Sequence, residues 1–343
     1  MSLSKAIGGV MPAEPAGSPR PDSIWNAWRA DFPHTAAFAN ARSALAALLA
    51  QRRVSRVWLP AYVCSAVAEA AAAAHVACHY YNVSLRLESD PKALERELSV
   101  GDAVVIVAHF GRPPHDGWRD LIARWPEVVF IEDRAQALDT GEASHADTVI
   151  HSPRKLLGVA DGGLLLARAP LPAPADPADD GLWAPQDARA GDPDGLTPER
   201  WRPLFTDAEA SMRPSAAAAT ARTLAALKSS ALTPIADARR ANWLRLAEAL
   251  AAWALWDELS PGFAPLAFPI LTADAALAVT ALAERRIWAP RHWPQLPSDP
   301  AAFPDAHRLA GACVSLPLDQ RYGAADMSRI IEAVTARVPP YPR

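Results

Sequence analysis

Lysine is scarce in this chain. Four of its 34 basic residues are lysines, Lys5, Lys92, Lys155 and Lys228, and the rest are arginine. Arginine is therefore the usual choice where positive charge alone is wanted. A lysine becomes a candidate for chemistry that a guanidinium cannot do, because an amine can lose its proton and act as a nucleophile. Cysteine is scarce too: Cys64, Cys78 and Cys313 are odd in number and widely spaced, which gives no disulfide framework or metal-ligand spacing and fits a reduced, cytoplasmic setting. No metal site is expected. Long basic runs are missing and the net charge is −4, which argues against nucleic acid and against anionic membrane surfaces as partners. The longest apolar run, residues 66–78, is broken by Glu69 and His75 and is too short and alanine-rich to span a bilayer. No secretory segment is expected at the N-terminus.

What the chain does have is enough apolar sequence, 50% of 343 residues, to bury a large core in about two domains. Residues 1–22, with Gly8-Gly9 and four prolines, are expected to form a flexible tail. Asn40 is a plausible N-cap for an Ala/Leu-rich helix reaching Arg52-Arg53, and such a helix start offers unpaired amides to an anion. Short β-branched or apolar runs at 57–60, 76–81, 103–108, 128–132, 146–150 and 162–168 alternate with helical segments. This predicts a mixed, mostly parallel α/β sheet buried on both faces. Ligands of such sheets sit beyond the carboxyl ends of the strands, which brings 60–64, 109–112, 133–136 and 152–155 to one rim. Residues 169–205, rich in Pro, Asp and Gly, are expected to be a long irregular loop, either a plain surface excursion or a substrate-facing lid. The large domain is expected over 23–205. A helical connection and a smaller C-terminal α/β domain are expected over 206–343.

The central stretch is 128–163, where a strand ends in Asp133 and Lys155 follows across one more strand, ahead of Gly162-Gly163. A carboxylate at a strand end can bind a metal, act as a base or hold a ring nitrogen protonated. A phospho-receiver-like or metal-dependent α/β protein also pairs such an acid with a downstream lysine, but lacks the glycine pair and the second domain. In a pyridoxal phosphate (PLP) enzyme the lysine forms a Schiff base with the cofactor aldehyde, while a carboxylate keeps the pyridine nitrogen protonated.

Six segments, in order, carry a resemblance. FANARSALAALL is similar to an "SGT/SGR-x-AL" phosphate loop, VWLPAYVC to "VxxPxYT", VIVAHFGRP to "VHxxG" and FIEDRAQAL to "EDxAQ". HSPRKLLGVADGG is similar to a lysine loop and VSLPLDQRY to a late "LPL" strand. Together they resemble the DegT/DnrJ/EryC1/StrS sugar aminotransferases, over roughly residues 35–170 and more weakly 205–337. The resemblance implies the PLP-dependent transferase-like fold (fold type I, as in aspartate aminotransferase) and transfer of an amino group from Glu or Gln to a keto-sugar, nucleotide-linked, by a ping-pong route. It implies Lys155 as the Schiff-base lysine and proton carrier, Asp133 on the pyridinium nitrogen, and Gln136 on the phenolic oxygen. Ser152, the Ala41 and Arg42 amides and Ser43 would hold the phosphate. Tyr62, Cys64 and His109 would border the cofactor, and a homodimer would place the site at its interface.

The sequence also departs from that pattern. Ala41 stands where the family has Gly, Cys64 where an aromatic ring often stacks, and Arg134 where a small residue is usual. No partner-reaching Asn is recognisable around Ser211-Met212-Arg213. These departures leave open a non-catalytic or regulatory homologue that binds PLP or a sugar nucleotide. Ordinary structural roles stand beside each assignment: His109 packed under the sheet, Cys64 as a small core residue, Asp133 as a turn carboxylate. Arg154 is either solvated or grips a phosphate or substrate carboxylate. Trp288 and Trp293 would fill an interdomain core, with Arg291 and His292 as candidates to face the pocket.

Overall fold

The computed structural model describes residues 4–139, 143–256 and 258–342. In chain order the first half comprises β1 (Ile7–Gly8), α1 (Ile24–Arg29), β2 (His34–Phe38), α2 (Ala41–Arg52), β3 (Arg56–Pro60), α3 (Ser65–Ala73) and β4 (Ala77–Tyr81). It continues through α4 (Pro91–Glu95), β5 (Asp102–Val107), α5 (Gly117–Arg124), β6 (Val129–Asp133), β7 (Ala137–Asp139), β8 (Thr148–His151) and β9 (Gly163–Ala167). Seven of these strands form one sheet in the order β2-β9-β8-β6-β5-β3-β4. Its five central and far strands run parallel, and β9 and β2 are antiparallel additions at one edge. Gly163–Ala167 is buried along its length and Asp102–Val107 as far as Ile106, as expected where helices cover both faces.

The second half runs α6 (Ala184–Ala190), α7 (Arg202–Ser211), α8 (Ala221–Ser229), α9 (Leu232–Ala249), β10 (Phe263–Pro265), β11 (Ala267–Leu271) and α10 (Ala275–Glu284). It closes with β12 (Ile287–Trp288), α11 (Pro304–Ala312), β13 (Cys313–Pro317) and α12 (Ala324–Arg337). β11 and β13 pair antiparallel, and β10 pairs with β7, tying this half to the large sheet. One apolar cluster runs through both halves, from Trp118 and Phe110 to Trp243, Phe268 and Ile330. A buried arginine, Arg239 of α9, bridges them as well. It donates to the carbonyls of Pro265 (3.0 Å), Leu266 (3.2 Å) and Leu156 (2.9 Å) and to Gln320 Oε1 (3.0 Å). No helix among the described residues is long and apolar enough to cross a membrane.

Two expectations need correction. Residues 4–22 are laid down against the protein instead of forming a tail: Ile7 and Gly8 pair in parallel with Ile287 and Trp288, and Ala6 and Ile7 are fully buried. Gly8 has φ +87°, and a Cβ there would lie 2.3 Å from the Trp288 carbonyl oxygen, so the glycine pair serves close backbone contact instead of disorder. Second, residues 169–205 contain α6 and the start of α7. Their prolines, Pro185 and Pro203, sit in first turns, where proline loses no hydrogen bond. The segment is anchored by Trp183 and Trp201, both buried. Asp192 accepts hydrogen bonds from the Leu196 and Thr197 amides (2.8 and 2.9 Å) and from Trp201 Nε1 (3.0 Å).

Candidate functional site

A cavity of about 730 Å³ opens at the carboxyl ends of β6 and β8, between the large sheet and the C-terminal half. This is within the size range of cofactor and substrate sites. Asp133, Gln136, Ser152, Lys155, Ala41, Arg42 and Cys64, seven of the ten residues singled out from sequence, line it.

Asp133 is the last residue of β6, and its Oδ1 accepts the Ala135 N–H at 2.8 Å. Burial pushes its carboxyl pKa up, and the nearby Lys155 ammonium and the Ala135 amide pull it back. Strand alternation explains the neighbouring departure at position 134. Side chains two apart share a face, so Glu132 and Arg134 point together, away from the cavity. There they form a buried ion pair at 2.9 Å, with Ser144 also donating to Glu132. The Arg134 guanidinium lies 5.1 Å from the Phe263 ring.

Gln136 is buried, and its Oε1 accepts the Phe110 N–H at 2.7 Å. An N–H requires an acceptor, which fixes the amide's orientation. Gln136 Nε2 is thereby left as a buried donor on the cavity wall, with no hydrogen-bond partner among the described residues. At the other end, Asn40 caps α2 by accepting the Ser43 N–H at 2.9 Å, which leaves Ala41 in an ordinary helical first turn and free of any need for glycine. The crowded position is Gly163, where a Cβ would fall 2.2 Å from the Asn40 backbone.

Lys155 closes a short 3-10 turn, Pro153–Lys155, after β8. The following carbonyl, Leu156 O, accepts from both Arg239 Nη2 and Gln320 Nε2 (2.9 and 3.1 Å), so the turn is clamped from the C-terminal half. His292 also lines the cavity. Its Nδ1 contacts Ser315 Oγ at 2.6 Å, and burial, with Lys155 close by, lowers its pKa to about 3.

Three sequence candidates lie outside the lining. Ser43 is buried, donates to Asn40 Oδ1 at 2.9 Å and accepts the Ser215 N–H at 3.0 Å. Tyr62 is fully buried, with its ring centroid 5.9 Å from His109 and 5.4 Å from Trp293. His109 borders a separate cavity of about 330 Å³ and bonds the Tyr62 carbonyl through Nε2 at 2.8 Å. Sequence reasoning missed Gly8–Met11, Trp201, Glu209 and Ser315, all on the cavity wall. The apolar residues Ile7 and Val10 flanking the glycine pair were a usable signal for the first of these.

No protein-family model matches the chain, and no curated protein does. Solved structures do. An aminotransferase of the DegT DnrJ EryC1 StrS type from Brucella abortus is 18% identical, with 89% of this chain and 86% of that one covered and a TM-score of 0.64. Spr1654 from Streptococcus pneumoniae, a candidate sugar aminotransferase in its PLP form, is 15% identical, with 98% of each chain covered and a TM-score of 0.69. DesV from S. venezuelae, in complex with a ketimine intermediate, is 18% identical over 94% of this chain and 90% of that one, at a TM-score of 0.66. The chain thus has the α/β fold of these aminotransferases, with the seven-stranded sheet at its centre.

Proposed function

We propose that this protein is a PLP-dependent aminotransferase acting on a keto-sugar. The observation that carries the reading is the buried Gln136 Nε2 donor, without a hydrogen-bond partner among the described residues, on the same cavity wall as the half-buried Asp133 carboxylate and Lys155. PLP presents a matching set of groups: a ring nitrogen for Asp133, a phenolic oxygen for Gln136, and a phosphate for Ser152 and the Ala41 and Arg42 amides at the start of α2. Bound there, the cofactor would supply an electron sink for the substrate carbon and an aldehyde able to carry an amino group.

The chain's own residues would do the rest. Among the described residues that line the cavity, Lys155 is the one lysine, and its Nζ would take the proton from the amine-bearing carbon of the donor and return it at the acceptor's carbonyl carbon. Asp133 would keep a ring nitrogen charged, which in turn offsets the cost of burying the carboxylate. The sugar acceptor, its attachment to a nucleotide and Glu or Gln as donor come from the resemblance and from the neighbours' descriptions. The assignment to a homodimer, with the partner completing the site, and to the cytoplasm rests on the same resemblance and on the unpaired cysteines.

The test is spectroscopic. Protein incubated with PLP should gain a visible absorption band, and borohydride should bleach it and leave a pyridoxyl adduct on the Lys155 peptide. Both should vanish in Lys155→Ala. A protein that takes up no PLP overturns the reading. A band that glutamate and glutamine never shift rules out those two donors while PLP binding stands.

A further inference from the structure

Arg154 sits beside Lys155 in the same short turn, and both face the cavity. Its guanidinium Nη1 is ion-paired with Glu209 of α7, while its buried Nε has no hydrogen-bond partner among the described residues. α7 is an unusual wall. None of its ten residues is buried. It spans two buried anchors, Trp201 and Met212. Arg202, Phe205, Thr206 and Glu209 line the cavity, and their spacing of three, four and seven puts them on one helix face. Of the other arginines of the cavity, Arg42 is held by Glu69 (3.0 Å) and the Met212 carbonyl (2.6 Å) and Arg321 by Asp319 (2.7 Å), while the Arg202 guanidinium lies over the Trp288 ring, 4.6 Å from its centroid.

A carboxylate aimed at an arginine inside a ligand cavity has the charge and shape of part of a ligand. We propose that Glu209 is a built-in stand-in for a ligand oxyanion, and that a carboxylate or phosphate entering the cavity takes Arg154 from it. The inference rests on the aminotransferase reading for what the ligand is, but not for the exchange itself. With Glu209 in place, an incoming anion meets a neutralised arginine and a like charge. Once Glu209 is displaced, the planar guanidinium can bind the anion in two-pronged fashion and use its spare Nε–H. Because α7 is held at its ends and not through buried side chains, release of Glu209 frees the middle of the helix to shift.

Two oxyanion sources share this chemistry, the cofactor's phosphate and a substrate carboxylate, and two binding arms separate them. Dissociation constants for inorganic phosphate and for glutarate, a dicarboxylate that cannot react, would be measured by calorimetry on cofactor-free protein and repeated for glutarate after PLP loading. Glu209→Gln, which keeps size and helix, should tighten at least one of them by roughly five- to tenfold, the scale of a partly buried ion pair. Arg154→Met should weaken the same ligand by a similar factor and abolish the gain when the two changes are combined. A gain for phosphate alone assigns the seat to the cofactor, and a gain for glutarate that survives PLP loading assigns it to the substrate. Constants within twofold of the parent protein for both ligands in both variants overturn the proposal. A protein that takes up no PLP fails the aminotransferase reading, yet the arms on cofactor-free protein still report on the Arg154–Glu209 exchange.

Discussion

Acid should unfold this protein through its buried histidines, and His109 gives the clearest measure. It is 5% exposed, and its Nε2 must carry the proton because its partner is a carbonyl, Tyr62 O at 2.8 Å. Burial lowers its pKa from 6.5 to about 4. The folded value lies below the unfolded one, so between those two pH values the unfolded chain holds the extra proton. Stability is complete above about pH 6.5 and falls as the pH drops toward 4. At pH 5 the difference of roughly 1.5 units from the unfolded pKa corresponds to about 2 kcal/mol lost through this one residue. His151, 1% exposed, and His292 are lowered in the same direction by burial, with Arg134 and Lys155 adding to the effect. Urea unfolding of cofactor-free protein at pH 7.5 and pH 5.0, in the parent and in His109→Gln, separates the contribution. The variant keeps a donor but cannot titrate, so its loss of stability between the two pH values should be smaller by about 2 kcal/mol. An identical loss in both proteins would refute the argument, since it would mean that His109 is protonated without cost in the fold. The window stops at pH 5 because Asp192, held at about 2 by the amides and indole that bond it, begins its own contribution only near or below the ordinary carboxylate range.

Other consequences follow from single side chains. Arg134→Met strands the Glu132 carboxylate in the interior and should cost about 3–5 kcal/mol by chemical denaturation, whereas combining it with Glu132→Leu should recover most of that loss. Gln136→Leu removes the cavity donor and also leaves the Phe110 N–H without its acceptor. PLP affinity measured by equilibrium titration should fall about tenfold or more, with a stability loss of about 1–3 kcal/mol. Gly163→Ala places a methyl group 2.2 Å from the Asn40 backbone. The protein should lose several degrees of Tm or fail to accumulate in soluble form, and an unchanged melting curve would mean that the start of α2 can move away from β9.

The parts of the fold read correctly from sequence are those where one local signal points one way. The Asn40 cap and the buried runs of β5, β6 and β9 are of that kind: each carries its periodicity, and the structure places α2 at Ala41–Arg52 and those strands within one residue of the expected ranges. Asp133, Gln136 and Lys155 came with them, because strand ends in a parallel sheet share one rim. β2 does not show in the sequence because HTAAF is short and is an antiparallel edge strand whose strand partner, β9, lies 125 or more residues away. The helical connection expected from residue 206 is interrupted: 216–219 bond in extended form to Ala39, Asp176 and Ala37, and α8 begins at Ala221. The N-terminal segment and the 169–205 excursion differ from the expected tail and irregular loop for a common reason. Proline at a first turn and glycine at positive φ are ways of building contacts, and the excursion brings Gln186, Trp201, Arg202 and Phe205 to the cavity.

The same physics explains why one wall of the cavity is legible in the sequence and most of the facing wall is not. Asp133, Gln136, Ser152 and Lys155 belong to one continuous stretch of 23 residues whose sheet geometry is dictated locally. On the facing wall only the 288–293 segment, through His292, is singled out by the sequence; Gly8–Met11, Trp201 to Glu209 and Ser315 complete it, segments that meet only after the chain has folded. Neither Arg154 nor Glu209 shows in the sequence that it has a partner 55 residues away. Residues of this second kind can change without disturbing the sheet, because α7 buries none of its side chains. Substrate preference can therefore drift on this fold while the strand-end acid, amide and lysine stay fixed, and a substitution at Glu209 is expected to alter which anion is bound before it alters whether the protein folds.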